Sequence, residues 1–93
     1  MTEGQVQYVR QPTPAFPSIS RRLGESGKVV VGIYFSADGF AKRVVLQQSS
    51  GFDRLDKAAL DAAITAQVTP IRRPGANAET MYLLAAPFNF VLN

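Results

Sequence analysis

The sequence predicts an α+β fold: a three-stranded antiparallel sheet in the order 2-1-3, counting strands along the chain, with one long helix packed on one face and a short N-terminal helix. Three observations predict it. From Gly27 the period is two, with Val29, Val31, Ile33 and Phe35 alternating with Lys28, Val30, Gly32, Tyr34 and Ser36, and Asp38-Gly39 then reverses the chain into a second run, which is a β-hairpin. Asp53 to Gln67 repeats apolar residues at helical spacing. The run from Tyr82 to Leu92 alternates again and carries a proline near its centre. A long helix between the second and third strands lets the last strand return beside the first.

The elements follow in order. Residues 1–15 contain Gly4, Pro12 and Pro14 without a sustained period, so they read as an extended arm, the end of a linker, and residues 16–93 as the folded domain. Phe16 to Leu23 forms a short helix with Pro17 in its first turn, where a missing N–H costs little. Ile19 and Leu23 share its expected buried face, and Gly24 ends it. In the first strand Val29, Val31, Ile33 and Phe35 face one way. The second runs from Ala41 to Ser49, with Val44 and Leu46 facing together, and the three-residue step from Ala41 to Val44 predicts a bulge. Ser49-Ser50-Gly51 ends the hairpin. Asp53 is the expected N-cap of the long helix, and Asp56 three residues on imitates a capping box. Leu55, Ala59, Ala62 and Ala66 make the helix stripe, widened by Ala58, Leu60 and Ile64, and small alanines let the helix lie close to the sheet. Val68-Thr69-Pro70 stops the helix, and a loop from Arg72 to Glu79 with Pro74-Gly75 leads into the last strand.

That last strand is the most informative segment for function. Leu84, Ala86, Phe88, Phe90 and Leu92 share one apolar face. Pro87 has no N–H for a ladder, which places the strand at a sheet edge. In an antiparallel edge strand both backbone groups of a residue point to the same side. A proline facing outward therefore turns the main chain of Leu83, Ala85, Asn89 and Val91 outward with it. Leu83, Ala85, Pro87, Asn89 and Val91 are accordingly the candidate residues for pairing with a peptide strand. Taken alone, the same feature also fits an ordinary edge strand with an incidental proline.

Composition narrows the function. Ninety-three residues, 46% of them hydrophobic, suit one small domain with a modest core. There is no cysteine and no histidine, which removes thiolate chemistry, the usual general base near neutral pH and the commonest metal ligand. No catalytic residue, cofactor or metal is expected. Ser49 and Ser50 have no activating base, and Asp53, Asp56 and Asp61 read as solvated helix caps rather than a cation site. No apolar stretch approaches the roughly 20 residues of a spanning helix, and Met1-Thr2-Glu3-Gly4 does not open a signal peptide. The chain therefore reads as soluble, as would a fragment cut from an anchored protein. The net charge of +3 comes from Arg21-Arg22, Lys42-Arg43 and Arg72-Arg73, scattered rather than gathered in one tract. Such pairs read as solvated surface, and nucleic acid is not an expected partner.

The succession Phe16-Pro17, Gly27-Lys28-Val29-Val30-Val31, Asp38-Gly39, Ser49-Ser50-Gly51, Leu55-Asp56-Lys57-Ala58-Ala59-Leu60, Thr69-Pro70 and Phe88-Asn89-Phe90-Val91-Leu92 resembles the TonB C-terminal domain family from about Pro14 to Asn93. No single motif is specific; the order and spacing of the set are. The resemblance implies a periplasmic energy-transducing domain, anchored in the inner membrane through an N-terminal helix absent from these residues and driven by an ExbB/ExbD-type proton-powered motor. Its implied partner is the TonB box of outer-membrane transporters importing siderophores, haem or cobalamin, added as a strand beside the last strand. Family members also use a glutamine-bearing stretch before the aromatic-proline pair to contact the box region, and here that stretch carries Gln11 and Thr13. Ala66 and Val68 stand where an aromatic pair is common, leaving space for the helix to pack closer or for another side chain to fill. Two alternatives of other classes are a self-associating β module forming a homodimer through the free edge, and a basic glycan- or nucleic-acid-binding domain.

Overall fold

The computed structural model describes residues 7–71, 75 and 79–92. Along the chain these form β1 (Tyr8–Arg10), α1 (Ser18–Leu23), β2 (Gly27–Ser36), β3 (Ala41–Gln48), α2 (Asp53–Ala63), β4 (Gln67–Val68) and β5 (Met81–Phe90). The main sheet has the order β3-β2-β5 and is antiparallel throughout, while β1 and β4 make a separate two-stranded sheet. The Arg72–Arg73 pair and most of the loop that contains it lie outside the described residues.

The core sits between α2 and one face of this sheet. Val29, Val31 and Ile33 are fully buried and Phe35 nearly so, which the period-two pattern of β2 dictates. From β5, Ala86, Phe88 and Phe90 join them, and from the helix side Leu55, Ala59 and Ala63, followed by Ala66 and Val68. Leu55 supplies bulk and the alanines let the helix lie close to the sheet. Phe16 closes the end of the core, its ring edge-on to Phe90 with centroids 5.4 Å apart.

The hairpin turns through Asp38 and Gly39, the latter at φ +94°. Tyr34 pairs with Arg43 and Phe35 with Ala41, so Lys42 is the extra residue of a bulge. A second register shift lies between the Val30–Gln48 and Val31–Leu46 pairs. Between β2 and β5 the register runs without a shift, from Gly27 opposite Phe90 to Ser36 opposite Met81.

Several expectations are corrected. Ile19 and Leu23 are exposed, and the buried residue of α1 is Ser20, whose hydroxyl donates to Glu25 Oε1 at 2.7 Å. Arg54 of α2 donates to the other Glu25 oxygen at 3.1 Å, so α1 docks through a satisfied polar contact rather than an apolar stripe. Gly24 does end the helix, in the left-handed region. The N-cap of α2 is Phe52 rather than Asp53, and it has no side-chain cap. Asp56 is turned instead onto the preceding turn, where it accepts bonds from the Ser49 hydroxyl, the Ser50 hydroxyl and the Ser50 N–H. The helix ends at Ala63, short of Gln67, because the chain becomes extended to pair with β1. The helix stripe therefore runs through Ala63 instead of Ala62, and Ile64 is exposed. Leu46, on the edge strand β3, and Leu92, past the end of β5, are also exposed.

Candidate peptide-binding edge

The sheet has two outer strands, β3 and β5, and their sequences treat the edges differently. β3 carries Lys42 and Arg43 and takes both register shifts, devices that twist and charge an edge against foreign strands. β5 is ten residues long, regular in register and without a charged side chain. Among the described residues it pairs with β2 alone. Its one irregularity is Pro87, which stands opposite Val30. A proline there costs the β2–β5 ladder nothing when its nitrogen faces away from β2, and that geometry turns the main chain of alternate residues to the open side.

Side chains along β5 divide as the alternation requires. Ala86, Phe88 and Phe90 are buried under α2, with Tyr82 and Leu84 half-buried beside them. Leu83, Ala85, Pro87 and Asn89 are exposed on the other face, and Val91, just past the strand, is 67% exposed. Leu83 folds across Gly32 of β2: a Cβ added to Gly32 would lie 3.1 Å from Leu83 Cδ1 and 2.6 Å from Gln47 Nε2. All five sequence-expected residues of this segment therefore lie along one continuous stretch of edge.

The arm is part of the same neighbourhood. Tyr8, Gln11 and Pro12 line a cleft of about 260 Å³ whose other wall is Ala86, Pro87 and Phe88. Gln11 is thus brought to Pro87. Thr13 is not: it faces a separate groove of about 470 Å³ between the arm and α2, shared with Arg54, Lys57 and Asp61. Tyr8 and Pro12 were missed by sequence reasoning, since three exposed strand residues carry no periodicity and a proline in a presumed linker gives no sign of being buried. Burial pushes the Tyr8 hydroxyl pKa up, so it is a protonated donor at neutral pH. Among the described residues no charged side chain lines this cleft.

Two carboxylates of α2 are engaged away from this edge. Asp56 is tied to Ser49 and Ser50, and Asp61 pairs with Lys57 at 3.2 Å. Among the described residues no group of three or more His, Cys, Asp or Glu side chains converges. Arg21 lies over the Phe16 ring and Arg43 over the Tyr34 ring, each with its guanidinium carbon 5.9 Å from the ring centroid. Of the described basic pairs, one lies on α1 and the other on β3, and one arginine of each stacks on an aromatic ring.

The result is a small α+β domain with one regular, uncharged sheet edge and one bulged, basic edge. Residues 12–92 match the family model of the Gram-negative bacterial TonB protein C-terminal, and the chain belongs to this family. It is 33% identical to Protein tonB2 of Pseudomonas aeruginosa over 86 residues, covering 92% of this chain and 31% of that protein. It is 44% identical to Protein TonB of Neisseria meningitidis serogroup C over 52 residues, covering 56% of this chain and 19% of that one. The chain therefore spans under a third of the curated relatives it matches. In fold it resembles the solution structure of the Pseudomonas aeruginosa TonB C-terminal domain, with a TM-score of 0.75, 18% identity, and coverage of 99% of this chain and 91% of that one. The Helicobacter pylori TonB C-terminal domain gives a TM-score of 0.58 at 24% identity, over 84% of this chain and 79% of that one.

Proposed function

We propose that this domain is the periplasmic receptor-binding part of a TonB-type energy transducer, and that it grips the TonB box of outer-membrane transporters by adding that segment as a strand to the open edge of β5. The observation that carries the reading is the contrast between the two edges: β3 bulged and basic, β5 regular in register and uncharged. Leu83, Ala85, Asn89 and Val91 present the backbone groups, and Pro87 marks the outward register. Gln11 faces the incoming segment from the arm, while Thr13, on the α2 side, does not take part.

The chemistry suits the task. Main-chain hydrogen bonds are indifferent to side-chain identity, so one domain serves transporters whose boxes differ. Each bond contributes about 0.5–1.5 kcal/mol net, and a few of them give a contact that forms and releases readily. Force from an ExbB/ExbD-type motor, transmitted through an inner-membrane anchor and spacer, then reaches the transporter plug and drives uptake of siderophore, haem or cobalamin.

The test is a titration of synthetic TonB-box peptides into isotope-labelled domain. Backbone amide shifts are expected to cluster from Leu83 to Val91, and shifts confined to β3 or to arginine side chains would refute the reading. Ala85→Pro removes a second outward donor from an exposed position, and is expected to abolish peptide capture while the amide spectrum of β2 and α2 is retained.

A further inference from the structure

The arm and the open edge are two walls of one groove, and a short strand pair fixes the arm in place. Tyr8 lines the cleft over Pro87 and at the same time belongs to β1. It stands opposite Val68, and Arg10 stands opposite Gln67, with the Thr69 N–H donating to the Gln7 carbonyl at 2.9 Å. β4 is itself anchored to the hairpin tip: the Val68 N–H donates to the Gly39 carbonyl at 2.8 Å, and Gln67 bridges Phe40. The next residues add the Ile71 N–H to the Ala37 carbonyl, also at 2.8 Å. One side of the pair is therefore fixed to the body of the domain, and the other is three exposed residues.

A two-stranded ribbon of this length is marginal by itself. Force applied through the chain N-terminal to Tyr8 reaches β1 before any other described element. We propose that the β1–β4 pair is a tension-sensitive latch on the peptide groove. Seated, it holds the Tyr8 hydroxyl and the Gln11 amide beside Pro87, where they supply the hydrogen-bond donor that proline denies to a strand lying on β5. Drawn toward the N-terminus, β1 peels from β4 and removes that wall, shortening the life of the captured strand. The latch rests on the edge-binding reading above and adds to it a release mechanism under load.

The chain contains no cysteine, so an engineered pair forms a single defined crosslink. Arg10→Cys with Gln67→Cys joins partners that face each other across an antiparallel pair, with the Cα separation of about 4.5–5.5 Å that a disulfide accepts. Thr69→Pro removes the N–H that bonds the Gln7 carbonyl, and so loosens β1 from β4 at a half-buried residue outside the core. The probe is a synthetic peptide spanning a TonB box. By calorimetry Thr69→Pro is expected to bind it about tenfold more weakly, while the oxidised crosslinked protein matches the unmodified domain. In an optical trap, with force applied through the N-terminus, the oxidised protein is expected to hold the peptide several-fold longer than the same protein reduced. With force applied through the C-terminus the two should not differ. Equal lifetimes under N-terminal load, or unchanged affinity in a folded Thr69→Pro, would overturn the latch alone. Failure of the unmodified domain to bind the peptide would overturn the edge-binding reading and the latch together.

Discussion

Gly39 shows how much a single residue position can decide here. It carries φ +94°, and a Cβ placed on it would come 2.0 Å from the Val68 carbonyl oxygen, so the hairpin tip and the segment after α2 can meet only over a bare backbone. Gly51 has the same φ of +94° but nothing within 4 Å of its added Cβ. The pair separates backbone strain from steric exclusion. Gly51→Ala is expected to lower stability by about 1 kcal/mol, the cost of left-handed backbone with a side chain. Gly39→Ala adds a clash with backbone that cannot rotate away, and is expected to lower it by about 3 kcal/mol. Thermal melts of the two variants check this, and equal losses would show that the tip does not press on β4. The Asp-Gly turn itself was legible in the sequence. The reason its glycine cannot be replaced was not, because Val68 lies far along the chain.

At the scale of elements, the clearest case is the turn joining β3 to α2. Asp56 is 7% exposed, and burial alone would raise its pKa, but the bonds from Ser49 and Ser50 outweigh that and hold it below the ordinary aspartate value. A carboxylate whose folded pKa is depressed favours the native state most when ionised. Its contribution is full above the unfolded value of about 3.9 and is lost as pH falls through the lower folded value. Asp56→Asn is therefore expected to be less stable than the unmodified domain by about 1–3 kcal/mol at neutral pH, with the gap narrowing below about pH 4. Denaturant midpoints across pH 2–7 measure it, and a constant gap would remove Asp56 from the acid response. The sequence placed this carboxylate on a helix cap because Asp-x-x-Asp before an apolar stripe imitates one; the serines just upstream carried the competing signal. Elements with strong periodicity were legible: β2, β5 and the first turns of α2 fall where alternation and stripe put them. β1 and β4 were not, since three and two residues are too few to show a period and their pairing is made by main chain. The buried face of α1 was misassigned because Ser20, Glu25 and Arg54 satisfy one another across a separation that no local pattern reveals.

At the scale of the whole molecule, the domain carries a net charge of +3 and could attract any polyanion, so strand addition has to be distinguished from charge-driven binding. The two mechanisms respond to salt with different steepness. A ligand held by Arg21, Arg22, Lys42 and Arg43 releases counterions on binding, and its affinity falls steeply as ionic strength rises. A ligand held by main-chain hydrogen bonds on an edge with no charged side chain has little to lose, since exposed charges more than about 10 Å away are screened at 0.1 M salt in any case. The affinity of a TonB-box peptide is therefore expected to change by less than about threefold between 50 and 500 mM sodium chloride, whereas any binding of heparin should fall by at least about tenfold over the same range. Isothermal titration at four salt concentrations gives both slopes. A steep slope for the peptide would transfer the contact from β5 to the basic side chains, and because Arg21 and Arg43 lie on α1 and β3, their alanine variants would then show which face had taken it.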